Sequence, residues 1–429
     1  MSTRIRTVHA RQILDSRGRP TVEADVTLGD GSLGRASVPS GASTGRAEAH
    51  ELRDGDPAFH NGLSVLKAVA NVNCEIAAAL TGRDALDQHA VDAIMVALDG
   101  MPQLARLGAN AVLAVSIAVA RAAAVAQHQP LFERVREMAG VAQLSMPVPM
   151  VNILSGGLHA GRGMDVQDFL AMPVRATSIA EAIHIMSRVR NAATEEARAR
   201  GLPTLLADEG GISPGLPTGR DALDMMLSII ERAGLQPGID IVIAIDVAAA
   251  SLQRSDGRYW LAREDRHASS AEMIDMLAGW VRDYPVVSIE DGLGEEDWGA
   301  WAELTKKIGG GVQLVGDDLF TTHPERLARG MRERVANGVL VKANQNGTLS
   351  GTIDLIAQAK AAGYATIVSA RSGETEDAFM SDLAVGCAAG QIKIGSLRTS
   401  STVAKYNQLL RIEEACQAPF DGLSALAGR

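Results

Sequence analysis

The chain has 429 residues, of which 46% are hydrophobic and 21% charged, a composition typical of a folded globular protein with a large core. Its formal net charge is −10 and no lysine or arginine run stands out. This argues against nucleic acid as a main partner, because phosphate binding needs a basic surface. The length alone predicts two or three domains, or a barrel with a smaller module.

Three cysteines, Cys74, Cys387 and Cys416, lie far apart without metal-site spacing, which is typical of free thiols in a reducing compartment. The N-terminal segment is polar and lacks the apolar core of a signal peptide. The longest apolar stretch, residues 111–120, is too short to span a bilayer and predicts a buried helix. We therefore expect a soluble cytoplasmic protein with no membrane partner.

The first part of the chain predicts a small α+β domain, placed at residues 1–140. From Arg4 to about Ser40, alternating apolar residues are separated by Gly, Asp and Pro, a pattern typical of an antiparallel meander. From about Gly62 to Gln127, apolar residues recur at helical spacing. The proline-rich segment MPVPMVN, residues 146–152, then predicts a junction into a second domain at residues 141–429.

In the second domain, six short apolar runs each end on a charged residue. These residues are Asp246, Glu290, Asp317, Lys342, Arg371 and Lys393, at intervals of 44, 27, 25, 29 and 22 residues. Helical segments separate the runs, and the intervals bracket the roughly 30 residues per unit of a (β/α)8 barrel. The predicted fold class is therefore α/β, a (β/α)8 TIM-type barrel whose strand ends form one polar mouth. An open doubly wound sheet is the alternative, but no GxGxxG follows the first strand.

The three acids at successive strand ends favour a hard divalent cation such as Mg²⁺. Oxygen ligands suit this ion, and no histidine stands at the matching positions. For any single acid, a salt bridge to a neighbouring base is the alternative. Lys342 can act as a general base only if its pKa is lowered, and we expect Lys393 and a bound metal to lower it.

Three further segments carry polar residues suited to a reaction. Glu209, in LADEGG, is predicted on an exposed Gly-rich turn and suits a general acid. Arg371 and Ser372, in SARSGETED, predict a phosphate or carboxylate grip that precedes a helix, with a helix cap lacking any ligand as the alternative. The segment PSGASTG, residues 39–45, is either a plain turn or a mobile lid.

A set of motifs in a fixed order along the chain resembles one known family. The motifs are ARQILDSRG, PSGASTG, ELRDGD, LGANAVLAVS, LADEGG, SIEDGL, VGDDLF, NQNGTL, RSGETED, GQIK and AKYNQLLRIEE. They resemble the enolase (phosphopyruvate hydratase) family over nearly the full length. The resemblance implies that the (β/α)8 TIM-type barrel is of a modified form and follows a smaller α+β N-terminal domain. It also implies two Mg²⁺ ions per active site and a homodimer or higher homo-oligomer. A lysine base working beside Mg²⁺ is the known pattern of this superfamily.

The resemblance also implies roles for individual residues. Asp246, Glu290 and Asp317 are similar to the ligands of the first Mg²⁺, and Ser43 to a residue that helps hold the second. Lys342 matches the base that removes the C2 proton, and Glu209 the acid that assists loss of the C3 hydroxyl. The residues implied to contact a small phosphorylated hydroxy-acid substrate are His159, Gln167, Asp168, Arg371, Ser372 and Lys393.

The chain departs from the family pattern around the substrate. The histidine before the Arg-Ser pair is Ala370, the Glu of QEF is Asp168, and the Asn of NGG is Ser155. Further departures are Asn346, Gly351, Arg398, Thr399, Ser401 and Thr402. Losing a histidine removes one donor, worth about 1–3 kcal/mol at a buried site, and opens space. Since the metal and acid/base residues are retained, the pattern predicts retained chemistry on an altered substrate.

Three functions remain open. The first is dehydration of 2-phosphoglycerate to phosphoenolpyruvate. The second is the same elimination on an analogue with a bulkier phosphorus group, as in carboxyphosphonoenolpyruvate synthases of phosphonate and phosphinate biosynthesis. The third is a non-catalytic binding protein on this fold, which the retained Glu209 and Lys342 disfavour.

Overall fold

Residues 2–41 and 45–427 are described by a computed structural model, in which an N-terminal α+β part precedes a closed barrel. Three antiparallel strands open the chain in the order β1-β2-β3: Ile5–Leu14 (β1), Pro20–Leu28 (β2) and Leu33–Ser37 (β3). In β2, Val22, Ala24 and Val26 are buried because alternate side chains of a strand share one face. The predicted antiparallel meander is confirmed.

Five helices follow this meander: Leu66–Asn71 (α1), Ala77–Leu80 (α2), Gln88–Asp99 (α3), Ala109–Ala126 (α4) and Leu131–Ala139 (α5). Of these, α1, α2 and α4 pack against its strands. Helix α4 packs closely on β3, since a Cβ at Gly34 would lie 2.0 Å from the Ala118 carbonyl oxygen. Within the described residues, α4 alone is long and apolar enough to cross a membrane, yet 83% of it is buried inside the protein. It is therefore the core helix that the apolar stretch predicted.

The barrel closes in the order β10-β11-β12-β13-β4-β5-β6-β9. Its strands are Val148–Ser155 (β4), Asp168–Met172 (β5), Val242–Asp246 (β6), Val286–Glu290 (β9), Gln313–Gly316 (β10), Gly338–Val341 (β11), Ala365–Ser369 (β12) and Gly390–Lys393 (β13). Strand β5 is antiparallel to both neighbours, and the other strand pairs of the barrel are parallel. The segment 146–152 is largely the first barrel strand, which begins at Val148, rather than a linker.

Helices alternate with the later barrel strands, as predicted. They are Ile179–Ala199 (α6), Gly219–Arg232 (α7), Ser270–Asp283 (α8), Trp298–Ile308 (α9), Pro324–Glu333 (α10), Ala343–Asn346 (α11), Leu349–Ala361 (α12), Phe379–Gly386 (α13) and Ser400–Cys416 (α14). A hairpin of Tyr259–Leu261 (β7) and Arg266–Ala268 (β8) lies between β6 and α8. This hairpin accounts for the long interval between Asp246 and Glu290.

The two ends of the barrel interior differ in chemistry. Apolar side chains such as Met150, Leu340 and Ile367 fill the interior, and Leu426 near the C-terminus packs against them. Gln313 and Gln391 close the lower end by bonding each other, at 2.8 and 3.1 Å. The charged residues lie at the opposite end, where the parallel strands finish.

Buried polar contacts join the N-terminal helices to the barrel beside this mouth. Asp92 of α3 accepts hydrogen bonds from the backbone nitrogen and hydroxyl of Ser350, at 3.0 and 2.7 Å. The Ser116 hydroxyl of α4 accepts from the Leu349 backbone nitrogen at 3.0 Å. Because α12 follows the turn that carries Lys342, these contacts help to hold that turn in place.

Candidate active site

The charged residues predicted at strand ends lie on consecutive barrel strands. Asp246, Glu290 and Lys393 are the last residues of β6, β9 and β13. Asp317 and Lys342 directly follow β10 and β11. Parallel strands of a barrel finish at the same end, so these side chains converge on one mouth.

Lysines pair with all three of the predicted metal ligands. The Lys393 ammonium lies 2.8 Å from Asp246 Oδ2 and 2.7 Å from Glu290 Oε2. Lys342 forms an ion pair with Asp317. The salt bridges left open as an alternative are therefore present, and they place both lysines against the acids.

The mouth holds more carboxyl groups than basic side chains. Burial, followed by repulsion from Asp246, raises the pKa of Glu290 well above its usual range. Burial and the neighbouring Asp318 likewise raise the pKa of Asp291. Burial and the Asp317 charge raise the pKa of Asp318 to about 7. Such an excess of buried negative charge favours binding of a cation.

Lys393 lowers the pKa of Lys342, as predicted, but the protein's side chains together raise it, and the part expected of a bound metal stays a prediction. Burial alone would lower the pKa of this ammonium, but the adjacent Asp317 carboxylate outweighs burial and raises it. Lys393 follows the same rule, since Asp246 and Glu290 raise its pKa well above the ordinary value against the effect of burial. The neighbouring carboxylates therefore favour the charged form of both lysines.

The acids at the mouth fit Mg²⁺ by the chemistry of their donor atoms. Asp246, Glu290 and Asp317 offer only carboxylate oxygens, which this ion prefers. The groups of possible ligands within 4.8 Å of one another, over the part of the chain that the structure describes, are His159–Asp168–Glu209 and Asp291–Asp317–Asp318. The predicted triad is not such a group, and Lys393 pairs with two of its members, Asp246 and Glu290. Ser43, the predicted ligand of a second ion, lies outside the described residues.

Glu209 lies on a turn at the other side of the mouth, and it is buried, with 9% exposed, rather than exposed as predicted. Its Oε2 accepts a hydrogen bond from Asn152 Nδ2 of β4 at 3.0 Å. Its Oε1 lies 3.7 Å from His159 Nδ1. Burial raises the pKa of Glu209, which favours the protonated form that a general acid needs.

His159 faces two carboxyl groups. Burial alone would lower the pKa of its imidazole, but Glu209 and Asp168 outweigh burial and raise that pKa to about 9. The His159 Nδ1 atom lies 3.6 Å from Asp168 Oδ2, an oxygen that has no hydrogen-bond partner among the described residues. A polar substrate group placed between them would satisfy both atoms.

Two departures from the family pattern contact each other beside Glu209. The Ser155 hydroxyl donates a hydrogen bond of 2.5 Å to Asp168 Oδ1. Gln167, the preceding residue, donates to Asp246 Oδ2 at 3.2 Å. Gln167 and Asp168 thus lie at the mouth, where the sequence placed them.

The segment after β13 supports the Glu209 turn from behind. The Ser396 backbone nitrogen donates to the Glu209 carbonyl oxygen at 2.8 Å. The Thr402 hydroxyl in turn donates to the Ser396 carbonyl at 2.7 Å. At Gly395, which has φ of 112°, a Cβ would lie 2.9 Å from the Glu209 carbonyl oxygen, so only glycine fits there without a shift.

Arg371 and Ser372 lie after β12 on the N-terminal-domain side of the mouth. Arg371 Nη1 donates to Glu48 Oε2 at 2.8 Å and to Asn344 Oδ1 at 3.0 Å. Arg17 Nη1 donates to the Ser372 hydroxyl at 3.1 Å. A cavity of about 530 Å³ lies beside this grip, with Glu48, Asn344 and Arg371 in its lining.

A helix follows Arg371 and Ser372, as predicted, but it does not start at this pair. Helix α13 begins only at Phe379. The intervening segment is extended because Gly373 exchanges backbone hydrogen bonds of 2.8 and 3.0 Å with Ser40. Arg371 and Ser372 therefore offer side chains, and not helix-terminal amides, to a bound anion. Ala370, which precedes them, is buried.

Several residues of the site escaped sequence reasoning. Glu48 and Arg17 belong to the N-terminal part, where no strand-end pattern pointed to them. Asp291 directly follows Glu290 in SIEDGL, and that adjacency was an unused signal. Gln345 lies on the turn that follows Lys342, in NQNGTL. Asn152 lies within an otherwise apolar strand, and no sequence pattern marks this single amide as part of a site.

The fold and the site together define a barrel protein with acid and base side chains at the strand ends. Residues 5–135 match the family described as "Enolase, N-terminal domain", and residues 143–427 match "Enolase, C-terminal TIM barrel domain". The chain belongs to the enolase family. This membership indicates an enzyme of the lyase type from a family that generally uses Mg²⁺, and it confirms the resemblance and the fold class.

Proposed function

We propose that this protein is a Mg²⁺-dependent hydro-lyase that dehydrates 2-phosphoglycerate to phosphoenolpyruvate. The observation that carries the proposal is a lysine and a buried carboxyl group on different sides of one acidic mouth. Lys342 follows β11, and Glu209 is bonded to Asn152 of β4. Strands β12 and β13 lie between β11 and β4 in the barrel, so the two groups approach a substrate from different directions.

The base must remove a proton next to a carboxylate. Loss of that proton is difficult because the product carries a second negative charge on the substrate carboxylate. Asp246, Glu290 and Asp317 would hold Mg²⁺, whose positive charge would stabilise the substrate carboxylate and offset the Asp317 charge that raises the pKa of Lys342. Lys342 in its neutral form then accepts the C2 proton at Nζ.

The acid side completes the elimination. Protonated Glu209 donates its proton to the leaving C3 hydroxyl, which departs as water, and burial favours that protonated form. The positive charge of Arg371, oriented by Glu48 and Asn344, suits a phosphoryl group. The pair His159 and Asp168 beside Glu209 suits the departing oxygen.

A coupled absorbance assay with 2-phosphoglycerate and Mg²⁺ tests this function. We expect turnover in the usual enzyme range, at or above about 1 s⁻¹. Addition of a chelator should abolish the activity, and fresh Mg²⁺ should restore it. Turnover well below that range with a folded, Mg²⁺-binding protein would contradict the proposed substrate.

A second candidate is the same elimination on an analogue with a bulkier phosphorus group. Ala370 stands directly before the Arg371 grip, and the cavity of about 530 Å³ opens beside Arg371. On this alternative, Ala370→His should raise activity on 2-phosphoglycerate, because it restores a donor near the phosphoryl end. Unchanged activity in a folded Ala370→His variant would remove the support that Ala370 gives to this candidate.

A further inference from the structure

We propose that Gln345 and Thr322 are positioning residues that fix the Asp317 carboxylate and the Lys342 backbone in one hydrogen-bonded relay. This inference rests on the proposed function, in which Asp317 is a metal ligand and Lys342 the base. Neither Gln345 nor Thr322 faces the substrate in this assignment. Both act through the residues that they hold.

The relay consists of three hydrogen bonds. The Lys342 backbone nitrogen donates to Thr322 Oγ1 at 2.9 Å, and that hydroxyl donates to Gln345 Oε1 at 2.8 Å. Gln345 Nε2 donates to Asp317 Oδ1 at 3.0 Å. The order of donors is fixed, because a carboxylate only accepts and the amide must therefore turn its NH₂ group to Asp317.

This arrangement engages both oxygens of Asp317. Oδ1 accepts from Gln345, and Oδ2 pairs with the Lys342 ammonium. Lys342 and Gln345 belong to the same turn, which begins at the end of β11 and continues into α11. The relay therefore sets the rotation of the carboxylate relative to the base. Gln345 is 2% exposed and Thr322 is fully buried, so water does not compete for these bonds.

The backbone beside the relay is strained in a way that needs such support. Thr321 and Thr322 both have φ of 48°, a left-handed conformation that β-branched residues rarely adopt. Such conformations persist where the surrounding contacts hold them, and they cluster at functional sites. Here the Thr322 hydroxyl uses that conformation to reach the Lys342 nitrogen and Gln345 together.

A second clamp acts on the other end of the Asp317 segment. Both Asp291 oxygens accept from backbone nitrogens, Oδ1 from Asp317 at 2.9 Å and Oδ2 from Asp318 at 2.7 Å. Asp291 therefore fixes the backbone of Asp317, while Gln345 fixes its side chain. The two contacts are separable, so a change at Gln345 leaves the backbone held.

Magnesium binding measured by calorimetry tests the relay without any turnover. Groups that orient a ligand typically contribute about 10–100-fold to metal affinity. We expect Gln345→Leu and Thr322→Val to weaken Mg²⁺ binding by about that factor, and Thr322→Ser to retain it because the hydroxyl remains. Gln391→Leu, at the lower end of the barrel, is the matched control for loss of a buried glutamine and should leave Mg²⁺ affinity unchanged.

The outcomes separate this inference from the proposed function. Unchanged Mg²⁺ affinity in folded Gln345→Leu overturns the relay even if the enzyme turns over 2-phosphoglycerate. Weakened affinity in an enzyme that ignores 2-phosphoglycerate supports the relay and contradicts only the proposed substrate. If Gln345→Leu does not fold, Thr322→Val and Thr322→Ser decide, and equal Mg²⁺ affinity in these two variants contradicts the inference.

Discussion

The two sides of the mouth are built by different means. On the base and metal side, strand register brings the reactive residues together. Asp246 of β6, for example, lies in register with Glu290 of the neighbouring strand β9. On the acid side, Glu209 lies on a turn between α6 and α7, and Asn152 and Ser396 hold it from other parts of the chain. A site fixed by register depends little on loop sequence, whereas a site on a turn depends on every contact that supports the turn.

The departures from the family pattern follow this division. Ser155 bonds Asp168 beside Glu209, and Thr402 supports Ser396 behind it. On the base side, by contrast, the departures Asn346 and Gly351 accommodate each other, since a Cβ at Gly351 would lie 2.5 Å from Asn346 Oδ1.

Removal of the base should have the largest effect. Lys342→Ala should lower turnover by about 10²–10⁴-fold, the usual contribution of a positioned acid or base. It should also abolish exchange of the substrate C2 proton with solvent, because that step precedes loss of the hydroxyl. Proton exchange in deuterated water, followed by NMR, measures this directly.

Removal of the acid should separate proton removal by the base from loss of the hydroxyl. Glu209→Gln should lower turnover by a similar factor of about 10²–10⁴ while C2 proton exchange continues. Loss of exchange in Glu209→Gln, with the protein folded and Mg²⁺ bound, would contradict the assignment of acid and base to opposite sides.

Loss of the lysine that pairs with two acids should destabilise the base side. In Lys393→Ala, Asp246 and Glu290 stay buried without their counter-charge, and breaking such a pair costs about 3–5 kcal/mol. Mg²⁺ should offset part of this cost, because it supplies positive charge at the same carboxylates. Denaturant unfolding with and without Mg²⁺ measures both effects.

A buried lysine that pairs with none of the predicted metal ligands provides the control for Lys393. Lys405 is fully buried and pairs with Glu374 at 2.9 Å. Lys405→Ala should lower the free energy of unfolding equally with and without Mg²⁺. If Mg²⁺ stabilises both variants alike, the cation does not act at the Lys393 partners.

The pH dependence of stability should report on the acid side. The folded-state pKa of His159 is raised to about 9, above its unfolded value near 6.5. Its protonation therefore stabilises the fold fully below about pH 6.5, and this contribution is lost as the pH rises through about 9. His159→Gln should flatten the unfolding free energy over that window, and an unchanged slope would show that another group titrates there.

The two sides of the mouth also differ in how well the sequence predicts them. The strand-end residues were predictable from local patterns. A charged residue that follows a short apolar run, repeated at the spacing of barrel units, is expected at the C-terminal end of a barrel strand. The burial of Glu209 was not predictable, since it depends on Ser396, which is distant in the chain and brought near only by barrel closure. The antiparallel β5 and the raised pKa of Lys342 likewise depend on tertiary neighbours that no local pattern encodes.

The smallest effect should come from the support behind the acid. Thr402→Val removes one hydrogen bond to the Ser396 carbonyl, worth about 0.5–1.5 kcal/mol, and loosens the turn that carries Glu209. We expect a loss of about tenfold or less in turnover, with C2 proton exchange unchanged, because the base side is held independently. Thr366→Val is the matched control, since its hydroxyl donates to the Ala389 carbonyl at 2.8 Å far from the mouth. If Thr402→Val slows exchange and elimination together, the two sides are coupled through the barrel, and the division into a register-built side and a turn-built side fails.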